Sequence, residues 1–168
     1  MDTLYVTIGN MRYIAFIMFS ILSGCAFAPK FSGPGYNKAN KTIRGNPDRK
    51  VVLALTNAKL DRKIRKSFDQ FSRQIFTSIN ENPGYIGGTV NVQIFGDEVW
   101  TMTVWEDLES LRKFVEGRRH LDAMYMSNQA MKKFRSTHVE VLARDLPISW
   151  PEAKKLINAI PYNDHKPF

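Results

Sequence analysis

The spacing of hydrophobic residues changes several times between residues 51 and 143, and each change marks a predicted element. Residues 51–57 are an almost continuous run of Val, Leu, Ala and Thr, which is typical of a buried strand. Across residues 61–81, apolar side chains recur at steps of three and four, which predicts an amphipathic helix that Asn-Pro-Gly at 82–84 ends. That apolar stripe consists of Ile64, Phe68, Phe71, Ile75 and Ile79.

A β-hairpin is predicted next. Residues 85–95 alternate between apolar and polar side chains, and residues 98–105 form a second run rich in Val, Thr and Trp. Gly96 and Asp97 between them are a turn signal.

Two further helices and a last strand complete the pattern. Asp107 is placed to cap a helix that Gly117 closes. The pattern then predicts a helix over residues 121–134 and a strand over residues 139–143. The buried face of the helix after Asp107 would hold Leu108, Leu111, Phe114 and Val115.

The order of these elements predicts an α+β fold, a ferredoxin-like βαββαβ unit with its second helix broken in two. Helices cover one sheet face in such a unit, yet the strands carry large apolar residues in both phases, as Trp100 and Trp105 illustrate. A bare apolar sheet face is unusual for a soluble monomer, so we expect a second copy to cover it. The predicted assembly is a homodimeric α+β barrel.

The segment before this domain carries a different signal. An apolar run at residues 13–22, too short to cross a bilayer as a helix, follows Met11-Arg12 and precedes Leu22-Ser23-Gly24-Cys25. This resembles a bacterial lipobox, which implies that residues 1–24 are a signal peptide and that Cys25 takes a lipid. Translation starting at Met11 would give an ordinary basic start. The alternatives are an uncleaved membrane anchor or a buried apolar strand.

This resemblance implies a protein of the cell envelope, at the periplasmic face. Ala26 after the cysteine, rather than Asp, implies the outer membrane if the source is Gram-negative. Because Cys25 is the only cysteine, the folded part has no disulfide.

The remaining organisation follows from composition. Residues 25–49 lack apolar periodicity and predict a flexible, lipid-anchored tether, residues 50–160 are long enough for one domain, and residues 161–168 form a tail. The formal charge of +8 permits contact with anionic lipid, although solubility is the preferred explanation. No aromatic-basic platform or helix-turn-helix pattern points to nucleic acid.

Residues 82–88, 100–111 and 119–124 are together similar to the antibiotic-biosynthesis-monooxygenase superfamily. The shared pattern is Asn-Pro-Gly-Tyr before a strand, Trp105 at a strand end, Glu106-Asp107 opening a helix, and a histidine beyond that helix. The resemblance implies dimeric α+β barrels. Its members include cofactor-free oxygenases of polycyclic phenols, haem-degrading and haem-binding proteins, isomerases and decarboxylases, so it does not fix a function.

A cofactor-free oxygenase needs an aromatic pocket that excludes water, and one base. His120 is the candidate base, because an imidazole transfers protons near neutrality. The pocket would be lined by Asn57, Trp100, Trp105 and Tyr125, which would orient a small aromatic or quinol-type substrate. Each residue also has a plain explanation: the histidine as a core or capping residue, and the aromatic rings as ordinary core.

Other chemistries have less support. A haem would take His120 as its axial ligand, but haem-degrading relatives carry that histidine nearer to Ala123 or Met124. His138 and His165 do not join His120 in a metal-binding pattern, and HExxH, CxxC, GxSxG and Walker motifs are missing. A non-catalytic protein that binds a hydrophobic ligand remains the other hypothesis.

Overall fold

The computed structural model describes residues 26–63, 65–127 and 130–164. Within these residues the chain forms a six-stranded sheet in which every paired strand runs antiparallel. In spatial order, with labels given in chain order, its strands are β1 (Ala26–Phe27), β5 (Tyr85–Gln93), β6 (Glu98–Trp105), β4 (Lys50–Leu60), β7 (Met131–Leu142) and β8 (Asn163–Asp164). Two short strands, β2 (Tyr36–Asn37) and β3 (Thr42–Ile43), pair with each other.

The described helices are α1 (Arg65–Ser78), α2 (Leu108–Glu116), α3 (Arg118–Ser127) and α4 (Trp150–Asn158). The four long strands lie side by side in the order β5-β6-β4-β7. Along the chain, α1 follows β4, and α2 and α3 follow β6. This arrangement confirms the predicted ferredoxin-like α+β fold.

The central strand β4 shows why its sequence reads as a continuous apolar run. It pairs with β6 on one side and β7 on the other, and nearly all of its residues are buried. A strand covered on both faces has no polar phase. It is also longer than predicted, because Ala58 and Leu60 continue the buried pattern beyond residue 57.

The helices α1, α2 and α3 cover one face, called here the helix-side face. The carboxylate of Asp107 accepts a hydrogen bond from the Ser110 amide at 2.7 Å, and the chain leaves α2 at Gly117, as predicted. The helix predicted over residues 61–81 appears as α1 followed by a 3-10 turn at Ile79–Glu81. Gly84, with φ of 78°, makes the turn into β5.

The opposite face is not bare. The helix α4 packs Ala153 and Ile157 against it, and residues 31–43 add Phe31, Tyr36 and Ile43 to the same core. A capping box begins α4, with Ser149 and Glu152 each bonding the other's backbone amide. The protein therefore has three layers, and its own chain supplies the cover that the sequence analysis assigned to a second copy.

Residues 31–43, which were predicted to belong to a flexible tether, pack against the sheet in the structure. Ser32 and Gly88 exchange backbone hydrogen bonds of 3.1 and 2.8 Å, and a Cβ on Gly87 would lie 2.6 Å from the Phe31 ring. The glycines of β5 let this segment lie directly on the sheet, which composition alone does not reveal. The folded region of the described chain extends N-terminal to residue 50.

The predicted helix over residues 121–134 is corrected. The helix α3 ends at Ser127, and β7 pairs with β4 from Met131 onward. Met131 and Phe134 occupy the apolar phase of a strand, where they pack on Ala58 and Leu60, instead of a helical face. Residues 128 and 129 lie outside the described residues.

The predicted signal peptide, with Cys25, also lies outside the described residues. Among the helices that the structure does describe, none combines the length and apolar character needed to cross a membrane.

Candidate functional site

A cavity of about 470 Å³ lies between the helix-side face and the three helices that cover it. Its floor is formed by β4, β6 and β7, and its roof by α1, α2 and α3. The large apolar side chains around it include Ile75, Phe76, Leu108, Leu111, Phe114, Met124, Met131 and Phe134. A volume of this size is typical of a small-molecule site.

The floor combines small residues with hydroxyl groups. Ala54 and Ala58 of β4 leave room above the sheet, and Thr56 hydrogen-bonds Thr101 of the neighbouring strand. Thr103 accepts a hydrogen bond of 3.0 Å from the indole of Trp105. The hydroxyls give an otherwise apolar chamber a few polar contacts for a ligand.

His120 enters the cavity from the first turn of α3. Its Nδ1 lies 3.0 Å from the backbone oxygen of Val115, and its ring centroid lies 4.8 Å from that of Phe114. A carbonyl oxygen only accepts hydrogen bonds, so this contact requires the proton on Nδ1. The neutral imidazole then carries its free lone pair on Nε2.

Burial lowers the pKa of His120 below its ordinary value of 6.5, and the hydrogen bond to Val115 offsets this in part. The ring is therefore mostly neutral at pH 7. A neutral imidazole held in one orientation can accept a proton, which a charged one cannot.

The mouth of the cavity is marked by lining residues that are also solvent-exposed. These are Arg112, Val115 and Glu116 on α2, and Ser136 and His138 on β7. Charged and polar groups thus gather at the entrance, while the interior walls are mainly apolar.

Asn57 and Trp100, which were predicted to line the pocket, lie on the opposite face of the sheet. They are register partners on β4 and β6, and both are buried. Asn57 accepts hydrogen bonds from Arg135 at 3.0 Å and from Tyr162 at 2.5 Å, and it donates one to the Val99 carbonyl.

Trp100 lies beneath Lys154 of α4, whose amine is 3.7 Å from the indole centroid. Asn57 and Trp100 therefore help to hold the third layer in place. Neither of them lines the cavity.

Trp105 and Tyr125 also stay outside the chamber. Trp105 is fully buried on the helix-side face, with its ring 5.0 Å from Phe114 and 5.1 Å from Tyr85. Its ring packs against Phe114, and Phe114 in turn packs against His120. Tyr125 is 77% exposed on α3. Of the predicted site residues in the described chain, only His120 lines the cavity.

Sequence reasoning missed the contribution of β7. Its residues Phe134, Ser136 and His138 stand opposite Ala58, Thr56 and Ala54 in the register with β4. Strand-like alternation over residues 134–138 would have placed these three side chains on one face. It was not used, because residues up to 134 were assigned to a helix.

Within the described residues, no group of three or more His, Cys, Asp and Glu side chains is arranged to hold a metal ion. If a haem were bound in this largely apolar chamber, the free ring nitrogen of His120 would be the group to hold its iron.

Solved structures share this fold at low sequence identity. A "putative monooxygenase" of Lactobacillus acidophilus aligns with a TM-score of 0.51 and 16% identity, over 61% of this chain and 50% of that one. A "putative antibiotic biosynthesis monooxygenase" of Bacteroides thetaiotaomicron aligns with a TM-score of 0.52 and 10% identity, over 59% and 96%. A Pseudomonas aeruginosa protein aligns with a TM-score of 0.52 and 8% identity, over 57% and 98%.

At these identities the likeness concerns the fold alone, and this chain spans half the length of the Lactobacillus protein. A search of curated proteins finds no match. A family model described as "Domain of unknown function (DUF3291)" matches residues 50–146, more than half of the chain. The matched region contains the floor and the roof of the cavity, His120 included, and it ends before α4.

Proposed function

The chain belongs to the DUF3291 family, and from its cavity we propose that it is a cofactor-independent monooxygenase-like enzyme for a small aromatic or quinol-type substrate. His120 is the general base in this proposal. The neighbours that share its fold and carry monooxygenase names are consistent with this chemistry.

The observation that carries the proposal is the state of His120. The Val115 carbonyl fixes the proton on Nδ1, burial keeps the ring neutral, and the ring lies in the cavity wall. Nε2 would accept the proton of a phenolic hydroxyl within its reach as the substrate ring begins to give up electrons, because a phenol holds its proton more tightly than this imidazole does. General-base catalysis of this kind contributes about 10²-fold to 10⁴-fold in rate.

The resulting phenolate is electron-rich and passes electrons to dissolved O₂. For a quinol, one oxygen atom forms a new ring carbon–oxygen bond and replaces a ring hydrogen, and the product is a hydroxyquinone. The other oxygen atom leaves as water. The substrate supplies all four electrons, so the balance needs no external reductant and no protein-bound redox group.

The walls suit such a substrate. The rings of Phe76, Phe114 and Phe134 offer apolar contact with an aromatic ligand. The hydroxyls of Thr101 on the floor and of Ser136 at the mouth can bond substrate oxygens. A largely apolar chamber also limits water around the reactive anion.

Oxygen uptake by the purified full-length protein, with a panel of hydroquinols and polycyclic phenols, tests the proposal. His120→Gln keeps a neutral polar side chain of similar size but removes the base. We expect uptake above the protein-free autoxidation rate, and a loss of about 10²-fold or more in His120→Gln. His138→Gln at the exposed mouth is the matched control and should retain most activity.

Two other results would replace the enzymatic proposal. Saturable ligand binding without oxygen uptake would make the protein a carrier of a hydrophobic ligand. A Soret shift on titration with haem, lost in His120→Gln, would assign the imidazole as an axial ligand. Equal oxygen uptake by wild type and His120→Gln would remove the histidine from the mechanism.

We also propose that the protein is a lipid-anchored protein of the cell envelope, with the lipid on Cys25. The support is the apolar run at residues 13–22 followed by Leu-Ser-Gly-Cys. Metabolic labelling with a radioactive fatty acid should mark the wild type and not Cys25→Ser. Equal labelling of both proteins would contradict this assignment.

A further inference from the structure

The turn between β5 and β6 exposes two large apolar side chains. Ile94 is 52% exposed and Phe95 is 63% exposed, and Phe27, on the strand beside this hairpin, is 60% exposed. The three residues are called here the hairpin tip. They lie at the end of the sheet where the chain turns from β5 into β6.

The chain enters the domain from the side of this tip. The strand β1 runs antiparallel to β5, with Ala26 opposite Gln93 and Phe27 opposite Val92. Ala26, the first described residue, therefore lies at the end of β5 that leads into Ile94. The residues that precede it in the sequence, which include the apolar run at 13–22, are covalently joined to the domain at this end.

The polar backbone of the tip is already bonded by arginines. Arg62 donates to the Phe95 carbonyl at 2.8 Å, and Arg65 donates to the Gly96 carbonyl at 2.7 Å. The amide of Leu60 donates to the Asp97 carbonyl at 2.8 Å. Satisfied carbonyls make it less costly for the neighbouring side chains to enter an apolar medium.

The charge around the tip is mainly positive. Lys59 pairs with Glu98 at 3.1 Å, and Lys132 lies 3.8 Å from Asp61, so these charges are largely balanced. Arg62 and Lys63 are exposed, and of the nearby acids Asp61 interacts with Lys63 while Asp97 interacts with Lys59. Positive groups behind an apolar tip suit the headgroups of anionic phospholipids.

From these observations we propose that the hairpin tip is a membrane-contacting surface, through which the domain rests on an anionic phospholipid bilayer. Phe27, Ile94 and Phe95 enter the boundary between headgroups and acyl chains, and Arg62 and Lys63 lie at the headgroups. The surface goes beyond the proposed function, and it requires neither catalysis nor the lipid on Cys25.

A fluorescent label at the tip tests this in the full-length chain. Cys25→Ser removes the native thiol, and Phe95→Cys then carries an environment-sensitive dye. Leu156→Cys on α4 is the matched control, because Leu156 is an exposed apolar residue, at 44%, on another part of the surface. Ile94→Cys provides a second position at the tip.

Vesicles of phosphatidylcholine with phosphatidylglycerol, with and without brominated acyl chains, are then added. We expect the emission at residues 94 and 95 to shift to the blue and to be quenched by bromine, with neither effect at residue 156. Pure phosphatidylcholine should give weaker quenching at the tip, because the headgroups then lack net charge.

Several results would overturn the proposal. The dye at the tip would show no blue shift with vesicles, or labels at residues 95 and 156 would be quenched equally. A concentration-dependent blue shift without vesicles would assign the surface to a second copy of the chain.

Discussion

Replacing Ile157 with alanine tests whether the chain covers its own sheet. Ile157 is 1% exposed on α4, among apolar residues of the sheet and of residues 31–43. Buried Ile→Ala changes cost about 2 to 5 kcal/mol, and alanine's better helix propensity returns only a few tenths. Because the side chain is enclosed on all sides, we expect the free energy of unfolding to fall by about 3 kcal/mol.

Leu156→Ala is the matched control on the same helix. Its side chain is 44% exposed, so its loss should cost about 0.5 kcal/mol or less. Urea unfolding followed by tryptophan fluorescence measures both variants. Equal changes would mean that α4 is not docked as described, and the argument for an internally covered sheet would fail.

The same pair of variants bears on the predicted homodimer, which remains a prediction. With α4 and residues 31–43 on the sheet, the argument from a bare face no longer requires a partner. If sedimentation equilibrium shows a wild-type dimer that Ile157→Ala dissociates and Leu156→Ala does not, the face contributes to the interface after all.

Three further predictions concern other parts of the molecule. Burial lowers the pKa of His120 below 6.5, so the unfolded state binds more protons, and this group's contribution to stability is lost as pH falls below 6.5 and through the lower pKa of the folded state. Urea midpoints at several pH values should show a smaller decline for His120→Gln. In Gly87→Ala the new Cβ would lie 2.6 Å from the Phe31 ring, so we expect the free energy of unfolding to fall by about 1 to 3 kcal/mol and proteolysis within residues 37–41 to become faster. Unchanged proteolysis would contradict the packing of residues 31–43 on the sheet. Arg135→Met removes bonds to Asn57 and to the carbonyls of Asn158 and Ile160, which should cost about 2 kcal/mol in urea unfolding, and a change near zero would refute the buried network.

The elements that could be predicted are those whose signal is local. The apolar stripe of residues 61–81, the hairpin around Gly96 and the cap at Asp107 each depend on a few neighbouring residues, and each appears in the structure. The third layer depends on distant contacts. Trp100 and Met102 indicated that the second face of the sheet is apolar, but they did not indicate which segment of the chain covers it. The capping box at Ser149 and Glu152 was the available signal for α4.

The site shows the same division. His120 followed from its residue type and from the resemblance, and it lines the cavity. Asn57 and Trp100 were assigned to the pocket because strand alternation defines two faces without saying which one the helices cover. A shift of one residue moves a side chain to the other face. Trp105 is on the correct face, but Phe114 stands between its ring and that of His120.

The network around Asn57 also affects how the protein is made. The contact between Asn57 and Tyr162 joins residues 105 positions apart, and that with Arg135 joins residues 78 apart. During synthesis the strand carrying Asn57 emerges long before either partner, and contacts this distant in sequence are slow to form. This face of the sheet therefore stays open until α4 and Tyr162 have been synthesised, long after the strand that carries Asn57.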